Sequence, residues 1–256
     1  MIKKICILKI ILAALFIQCS PDMSLDVDKT LGRLQVLSVI SPAFERAEVY
    51  IGMAYPESAP ENISGAEVIL SDSLNEIVLI EVQPGLYQDL SNSLNVEPKV
   101  KYHLHVQISD GKTYSDNTIV PPIPEISNCN DGDTLHIYFS SMGNKIPTIK
   151  FKKDDFTYGY LISTIISNND EEIYTTIKTD SLETEMPIPS WGINWFSDTL
   201  FYQPAKLQTW ALDSAAMRID NQSVLEAGSK IKWNLFGSMS MSEINVTVEM
   251  KLEAGK

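Results

Sequence analysis

Residues 102–108 read Tyr-His-Leu-His-Val-Gln-Ile, and their strict alternation decides the fold class. Successive side chains of a strand point to opposite faces, so Tyr102, Leu104, Val106 and Ile108 share one side and His103, His105 and Gln107 the other. One apolar and one polar face is what an antiparallel strand packed on a single side requires. Working outward, short β-type runs recur: LQVLSVI from Leu34, AEVYIGMAY from Ala47, AEVILSD from Ala66, EIVLIEV from Glu76, GLYQDL from Gly85 and TYSDNTIV from Thr113. Pro56, Asn62, Gly65, Pro84-Gly85 and Asp110-Gly111 punctuate them as turns. This spacing predicts a β-sandwich.

The run Val120-Pro121-Pro122-Ile123-Pro124 and the polar Ser127–Asp133 interrupt the pattern, because proline cannot donate to a ladder. Beyond it lie LHIYFSS, IKFKK, YGYLISTII, EIYTTIKT, LFYQPAKLQTWAL, IKWNLFG and INVTVEMKLE, again β-rich. YGYLISTII and EIYTTIKT flank an Asn-Asn-Asp turn and predict a hairpin. Leu207–Met217 fits helix or strand about equally. The expected class is all-β, an N-terminal sandwich over 32–122, a linker over 123–133 and a second β-rich domain over 134–256.

Twenty Lys and Arg against 33 Asp and Glu give a net charge of -13, which sets the overall field against a phosphate-tracking surface and excludes nucleic acid as an expected partner. A hydrophobic content of 44% excludes wholesale disorder. Residues 1–19 carry Lys3 and Lys4 before the apolar Ile5–Ile17 and end on Cys19. That run is short for a membrane span, contains Lys9 and is followed by a polar stretch, so it reads as a secretory signal over 1–18. Cys19 at its end resembles the lipidated cysteine of bacterial lipoproteins, although Phe16, Ile17 and Gln18 depart from the usual residues before it. Residues 19–31, with Pro21 and three aspartates, then form a tether. Cys6 lies in the signal and Cys19 would hold lipid, leaving Cys129 without a disulfide partner.

Gly65-Ala66-Glu67-Val68-Ile69-Leu70-Ser71-Asp72, Pro84-Gly85-Leu86-Tyr87, Lys101-Tyr102 through Asp110-Gly111-Lys112-Thr113-Tyr114 and Pro121-Pro122 follow one another in this order after the signal. Together they resemble the domain-of-unknown-function family 4249, envelope lipoproteins of Bacteroidota-type bacteria with an Ig-like or carboxypeptidase-regulatory-like N-terminal module. Leu212-Asp213-Ser214 and Phe236-Gly237-Ser238 fit the family's C-terminal half. The resemblance implies an outer-membrane lipoprotein associated with receptor systems and no established activity.

No G-x-S-x-G, H-E-x-x-H, G-x-G-x-x-G or G-x-x-x-x-G-K-[ST] pattern occurs, so neither enzyme chemistry nor a cofactor or metal is expected. His103 and His105 share a strand face as two imidazole ligands would, yet a solvated face explains them equally simply. Asn128, Asn130, Asp131 and Asp133 around Gly132 are oxygen-rich but read as a turn. Five Asp-Ser/Thr-apolar triplets, beginning at Asp72, Asp133, Asp180, Asp198 and Asp213, resemble an O-glycosylation sequence of such envelope proteins and equally suit turn chemistry. Trp191, Trp195, Phe196, Tyr202 and Trp210 form the candidate surface, since aromatics near Pro187, Pro189 and Gly192 stack on a glycan or anchor a protein partner. The functional expectation is a non-enzymatic accessory or binding component of an outer-membrane β-barrel receptor or transport system, held to the membrane by lipid on Cys19. An adhesin-like surface module is the alternative, with an envelope hydrolase behind it.

Overall fold

The computed structural model describes residues 32–54, 61–139, 144–168, 171–188, 201–218 and 235–252, and their regular structure is strand apart from one 3-10 turn at Ala216–Arg218. Nine strands make the N-terminal sandwich: β1 (Arg33–Ile40), β2 (Glu48–Ala54), β3 (Glu61–Asn62), β4 (Glu67–Ser71), β5 (Glu76–Val78), β6 (Ile80–Gln83), β7 (Leu86–Gln88), β8 (Lys101–Gln107) and β9 (Thr113–Ile119). One antiparallel sheet runs β1-β2-β7-β6 with β3 on β2, and the other runs β5-β4-β8-β9. Val36, Ile51, Leu70, Tyr87, Tyr102 and Leu104 are buried between them. The alternation in β8 holds, with Tyr102, Leu104 and Val106 buried and His103 and Gln107 exposed.

Tyr87 and Tyr102 occupy this core for a shared reason. Each ring fills volume while its hydroxyl reaches a loop backbone, which satisfies the polar tip. Tyr87 Oη donates to the Ile63 carbonyl at 3.1 Å and accepts from the Ala66 amide at 2.9 Å. Tyr102 Oη donates to the Asn95 carbonyl at 3.2 Å and accepts from the Glu97 amide at 2.8 Å. The turn before β7 needs Gly85, whose φ is +80° and whose absent Cβ would lie 2.6 Å from the Ile51 carbonyl oxygen.

The second half adds β10 (Thr134–Phe139), β11 (Thr148–Lys150), β12 (Gly159–Asn168), β13 (Glu171–Thr179), β14 (Glu183–Glu185), β15 (Phe201–Leu212) and β16 (Leu235–Leu252). β12 and β13 form the expected hairpin, closing at Asn168 opposite Glu171. The helix-or-strand ambiguity resolves as strand up to Leu212, because β15 pairs with β16 from Phe201 opposite Met250 to Leu212 opposite Met239. Ile137, Ile149, Ile162, Leu207 and Val248 build a second core, over which the rings of Phe151 and Tyr160 stack 3.9 Å apart.

The runs around Phe236 and Ile244 are one 18-residue strand rather than two. At about 3.3 Å per residue β16 is roughly 60 Å long, enough to serve both cores. Its first residues pair in parallel with β1, Leu37 opposite Leu235 through Ile40 opposite Ser238, and its last pair in parallel with β10. Phe236 is buried in the first core, whereas Val246, Val248 and Met250 are buried in the second. A division at 123–133 would therefore strip the sandwich of a core ring, and the sheet runs continuously as β13-β12-β15-β16-β1-β2-β7-β6.

A buried polar cluster ties this crossing. Asp213 accepts hydrogen bonds from Thr118 Oγ1 and Ser238 Oγ at Oδ2, and from the Ala216 amide at Oδ1, 2.6 Å. Ser238 Oγ also lies 3.0 Å from the Ile119 carbonyl, and Ser240 Oγ donates to the Pro122 carbonyl. The cluster thus joins β9, the end of β15 and the start of β16. Opposite it, Gly237 is obligatory, since a Cβ there would sit 2.8 Å from the Ala216 nitrogen. Asp213→Ala leaves the buried Ala216 amide without its acceptor, at about 1–3 kcal/mol for an unsatisfied group, and leaves the Thr118 hydroxyl only Ser238 Oγ, 2.7 Å away. In urea unfolding this variant is expected to lose roughly 1–3 kcal/mol, against under about 0.5 kcal/mol for Ser214→Ala at the exposed neighbouring position.

Asp89 organises the loop after β7. Its carboxylate accepts from the Ser91 amide and hydroxyl at 3.1 and 2.7 Å and from the Leu94 amide at 3.0 Å. Burial pushes its acidity down, but the amides of Leu94 and Ser91 and the Ser91 hydroxyl outweigh that and hold the carboxyl below its ordinary range. A depressed folded pKa stabilises above the unfolded value near 4 and that contribution is lost as pH falls through the folded pKa. The gap in urea midpoint between wild type and Asp89→Asn is therefore expected to be full at pH 6–7 and to shrink below about pH 4.

Candidate functional site: an apolar outer sheet face

The sheet that crosses both halves has a second face, away from the sandwich core. Register aligns Leu235, Leu37, Tyr50 and Leu86 across β16, β1, β2 and β7 on that face. Antiparallel sheets with one wet face normally place polar residues there. Here the row is apolar, and Ile80 of β6, opposite Gln88, extends the face as an exposed side chain. The turn Ser41–Arg46 rises beside it, set by the Phe44 amide on the Ser41 carbonyl at 3.1 Å and the Ala43 amide on Ser41 Oγ at 3.1 Å. It presents Phe44, which lies 5.9 Å from the Trp210 ring at a tilt of 42°.

Between turn and sheet opens a groove of about 480 Å³, floored by Leu37, Val39, Phe44, Tyr50 and Met239 and rimmed by Glu45, Arg46 and Glu48. Such a volume falls within the range of ligand pockets, and an apolar floor with a few polar groups is their usual composition. The polar rim is internally paired: Arg46 meets Glu45 at 3.1 Å, and Glu48 accepts from Gln88 Nε2 and from Tyr50 Oη at 3.3 Å. Burial and then the Glu48 charge push the Tyr50 phenol up, so its hydroxyl stays protonated as a donor. The floor continues into a small cluster in which Leu212, Ala216 and Met239 pack against Val39, Leu161, Trp210 and Met217.

Of the residues singled out in the sequence, Trp210 belongs to this site, half-buried at its margin. Tyr202 lies on β15 opposite Glu249, at the far end of the strand from Trp210. Trp191, Trp195, Phe196 and Cys19 lie outside the described residues. His103 and His105 share the outer face of β8, where His105 Nδ1 is 2.7 Å from Ser115 Oγ, and His136 is elsewhere, against the buried Glu249. Among the described residues no group of three or more His, Cys, Asp or Glu is placed to hold a metal ion.

The oxygen-rich loop is a connector. Asn128 bonds Thr148 and Lys150 backbone, Asp131 accepts the Asn245 amide at 2.7 Å, and Asp133 accepts the Asn130 amide at 2.7 Å. Cys129 is buried in the second core, and burial followed by the Asp133 charge pushes its thiol up, away from thiolate chemistry. Three of the Asp-Ser/Thr triplets fall within described turns or bends, where Asp72, for example, holds the Leu74 and Asn75 amides at 2.6 and 2.7 Å; the one at Asp133 runs into β10, and the one at Asp198 lies outside the described residues.

The apolar row escaped the sequence reading, although a signal for it exists. LQVLSVI interleaves Leu37 and Val39 with Val36 and Ile40, so both faces of β1 are apolar, the mark of a strand covered or contacted on each side.

These features define a β-sandwich protein with an extended shared sheet. The chain matches the family described as "Domain of unknown function (DUF4249)" over residues 21–247 and belongs to it. No curated protein matches the chain. Among solved structures, the FN1-FN3 domains of chicken CNTN1 are similar at 11% identity and a TM-score of 0.30, over 84% of this chain and 66% of that one, just under two thirds of its length. The chicken interferon gamma receptor alpha chain is similar at 11% identity and a TM-score of 0.25, over 70% of this chain and 89% of that one. The fold assignment rests on the strand pairing above.

Phe44→Ala removes the ring that shields Trp210. With Trp191, Trp195 and Trp233 replaced by Phe, the emission of Trp210 is expected to shift to the red in this variant, while the thermal midpoint moves by only a few degrees because Phe44 is already partly exposed.

Proposed function

We propose that this protein is a non-enzymatic, lipid-anchored component of the bacterial outer membrane that binds a protein partner, a β-barrel receptor or transporter, through the outer face of its shared sheet. The observation that carries the reading is the groove between the Ser41–Arg46 turn and the Leu37–Tyr50 row, where Phe44 and Tyr50 are exposed beside half-buried Trp210. Aromatic anchors in a desolvated patch with a charged rim are the usual centre of protein interfaces.

Anchoring is supported by the N-terminal sequence: a basic start, an apolar run and Cys19. Removing residues 1–18 deletes three lysines and no acid, leaving a charge of about -16, so an anionic membrane surface would repel the mature chain. Attachment would come from acyl chains at about 0.8 kcal/mol per buried CH₂, with more than one chain needed for stable anchoring.

Affinity purification of the natively expressed protein from detergent-solubilised outer membrane, with mass spectrometry of its N-terminus and of every co-purifying chain, tests this. An acylated Cys19 and a stoichiometric β-barrel are expected, with the barrel lost from the Phe44→Ser/Tyr50→Ser double variant. An unmodified soluble product, or barrel capture indifferent to that double variant, overturns the proposal.

A further inference from the structure

Residues 76–83 form one continuous edge. β5 borders the β4 sheet through Glu76–Val78, the buried Leu79 donates its amide to the Val68 carbonyl at 2.8 Å, and β6 then borders the other sheet against β7. The chain thus changes sheets without leaving the margin of the sandwich, and among the described residues no strand pairs with its outer side. Edges of this kind invite strand addition, and proteins usually blunt them with charged outward side chains, proline or a covering segment. This one carries Glu76, Glu81 and a register shift between Glu81 and Gln83, yet leaves apolar side chains exposed between them. Val78, Ile80 and Val82 alternate along it at 60, 55 and 38% exposure, and Leu74 in the preceding hairpin is 88% exposed.

The electrostatics select among strands that could add. Residues 61–98 hold seven carboxylic acids, Glu61, Glu67, Asp72, Glu76, Glu81, Asp89 and Glu97, and no lysine or arginine. Asp72 is held below its ordinary range by the Leu74 and Asn75 amides, and Glu81 by the Gly65 amide, so both stay ionised. A second copy would bring this acidic margin against itself, and like charges directly opposite on adjacent strands repel. An incoming strand alternating basic and apolar side chains meets both demands.

We propose that the Glu76–Gln83 edge is a β-addition site that accepts an extended, lysine- or arginine-bearing segment of a protein partner. This deepens the partner-binding reading above and rests on it. Main-chain hydrogen bonds from the partner strand would supply affinity, Val78, Ile80 and Val82 would meet its apolar side chains, and the acidic margin would set its charge.

The test uses the purified full chain and fluorescein-labelled peptides at about 50 mM salt, where exposed charges are weakly screened. The probes are (Lys-Val)4, (Glu-Val)4 and a (Lys-Val)4 analogue N-methylated at every second residue, which removes backbone donors and keeps the charge. Fluorescence anisotropy is expected to show (Lys-Val)4 binding at least tenfold tighter than either other peptide. Ile80→Lys and Val78→Lys each weaken it at least tenfold, while circular dichroism and thermal midpoint are retained because both side chains are exposed. Equal binding of the methylated peptide, equal binding of (Glu-Val)4, or no binding of (Lys-Val)4 overturns the proposal. So does a wild-type dimer in sedimentation velocity that Ile80→Lys dissociates, since the occupant is then a second copy. Native pull-downs separate the two ideas: barrel capture unchanged in Ile80→Lys overturns the edge proposal alone, whereas peptide binding with no barrel captured overturns the membrane-partner reading alone.

Discussion

Asp213 is the constraint on which the architecture depends. Its carboxylate is buried and is held by hydroxyls from β9 and β16 and by the amide that opens the Ala216–Arg218 turn. A buried carboxylate is tolerated only where donors replace its water, so these partners must converge whenever the chain folds. Their convergence seats the start of β16 beside β1 and fixes the sandwich against the second core. The two stretches that meet here, Leu212-Asp213-Ser214 and Phe236-Gly237-Ser238, are joined by the Ser238 hydroxyl on the Asp213 carboxylate.

The same crossing creates the candidate site. Once β16 pairs with both β15 and β1, Met239 and Trp210 are brought next to Val39, Phe44 and Tyr50, which lie more than 150 residues earlier in the chain. The 3-10 turn lies on this face through Ala216 and Met217, over Gly237 and Gly159, where a Cβ would collide with it. Covering one part of the face with that turn leaves the groove beside it open. The apolar row across four strands is thus a consequence of which strands the polar cluster brings together, and the β6 half of the acidic edge borders the same sheet.

How much of this was legible in the sequence follows from the range of each interaction. The alternation in β8, the β12–β13 hairpin and the glycine turn at Gly85 are local, and each appears in a window of a few residues. The all-β class and the sandwich follow from such windows. Joining Phe236 to the first core, and reading Ile244 as part of the same strand, required a partner far away in sequence, and no local pattern encodes that. The aromatic surface was legible only at Trp210, whose importance comes from Phe44 across the groove rather than from its aromatic neighbours in the chain. Leu37 and Val39 did carry a signal, a strand apolar on both faces, but a fully buried strand gives the same pattern.

The central claim is that the outer face of the shared sheet, and not the opposite face of the sandwich, meets a partner in the membrane. Photocrosslinking in living cells tests it most directly, with a benzophenone amino acid placed at Tyr50 in one strain and at exposed Asn117 of β9 in another. The account predicts a discrete adduct with a β-barrel protein from position 50 and none from position 117. Adducts from position 117 alone, or the same adducts from both, would contradict it.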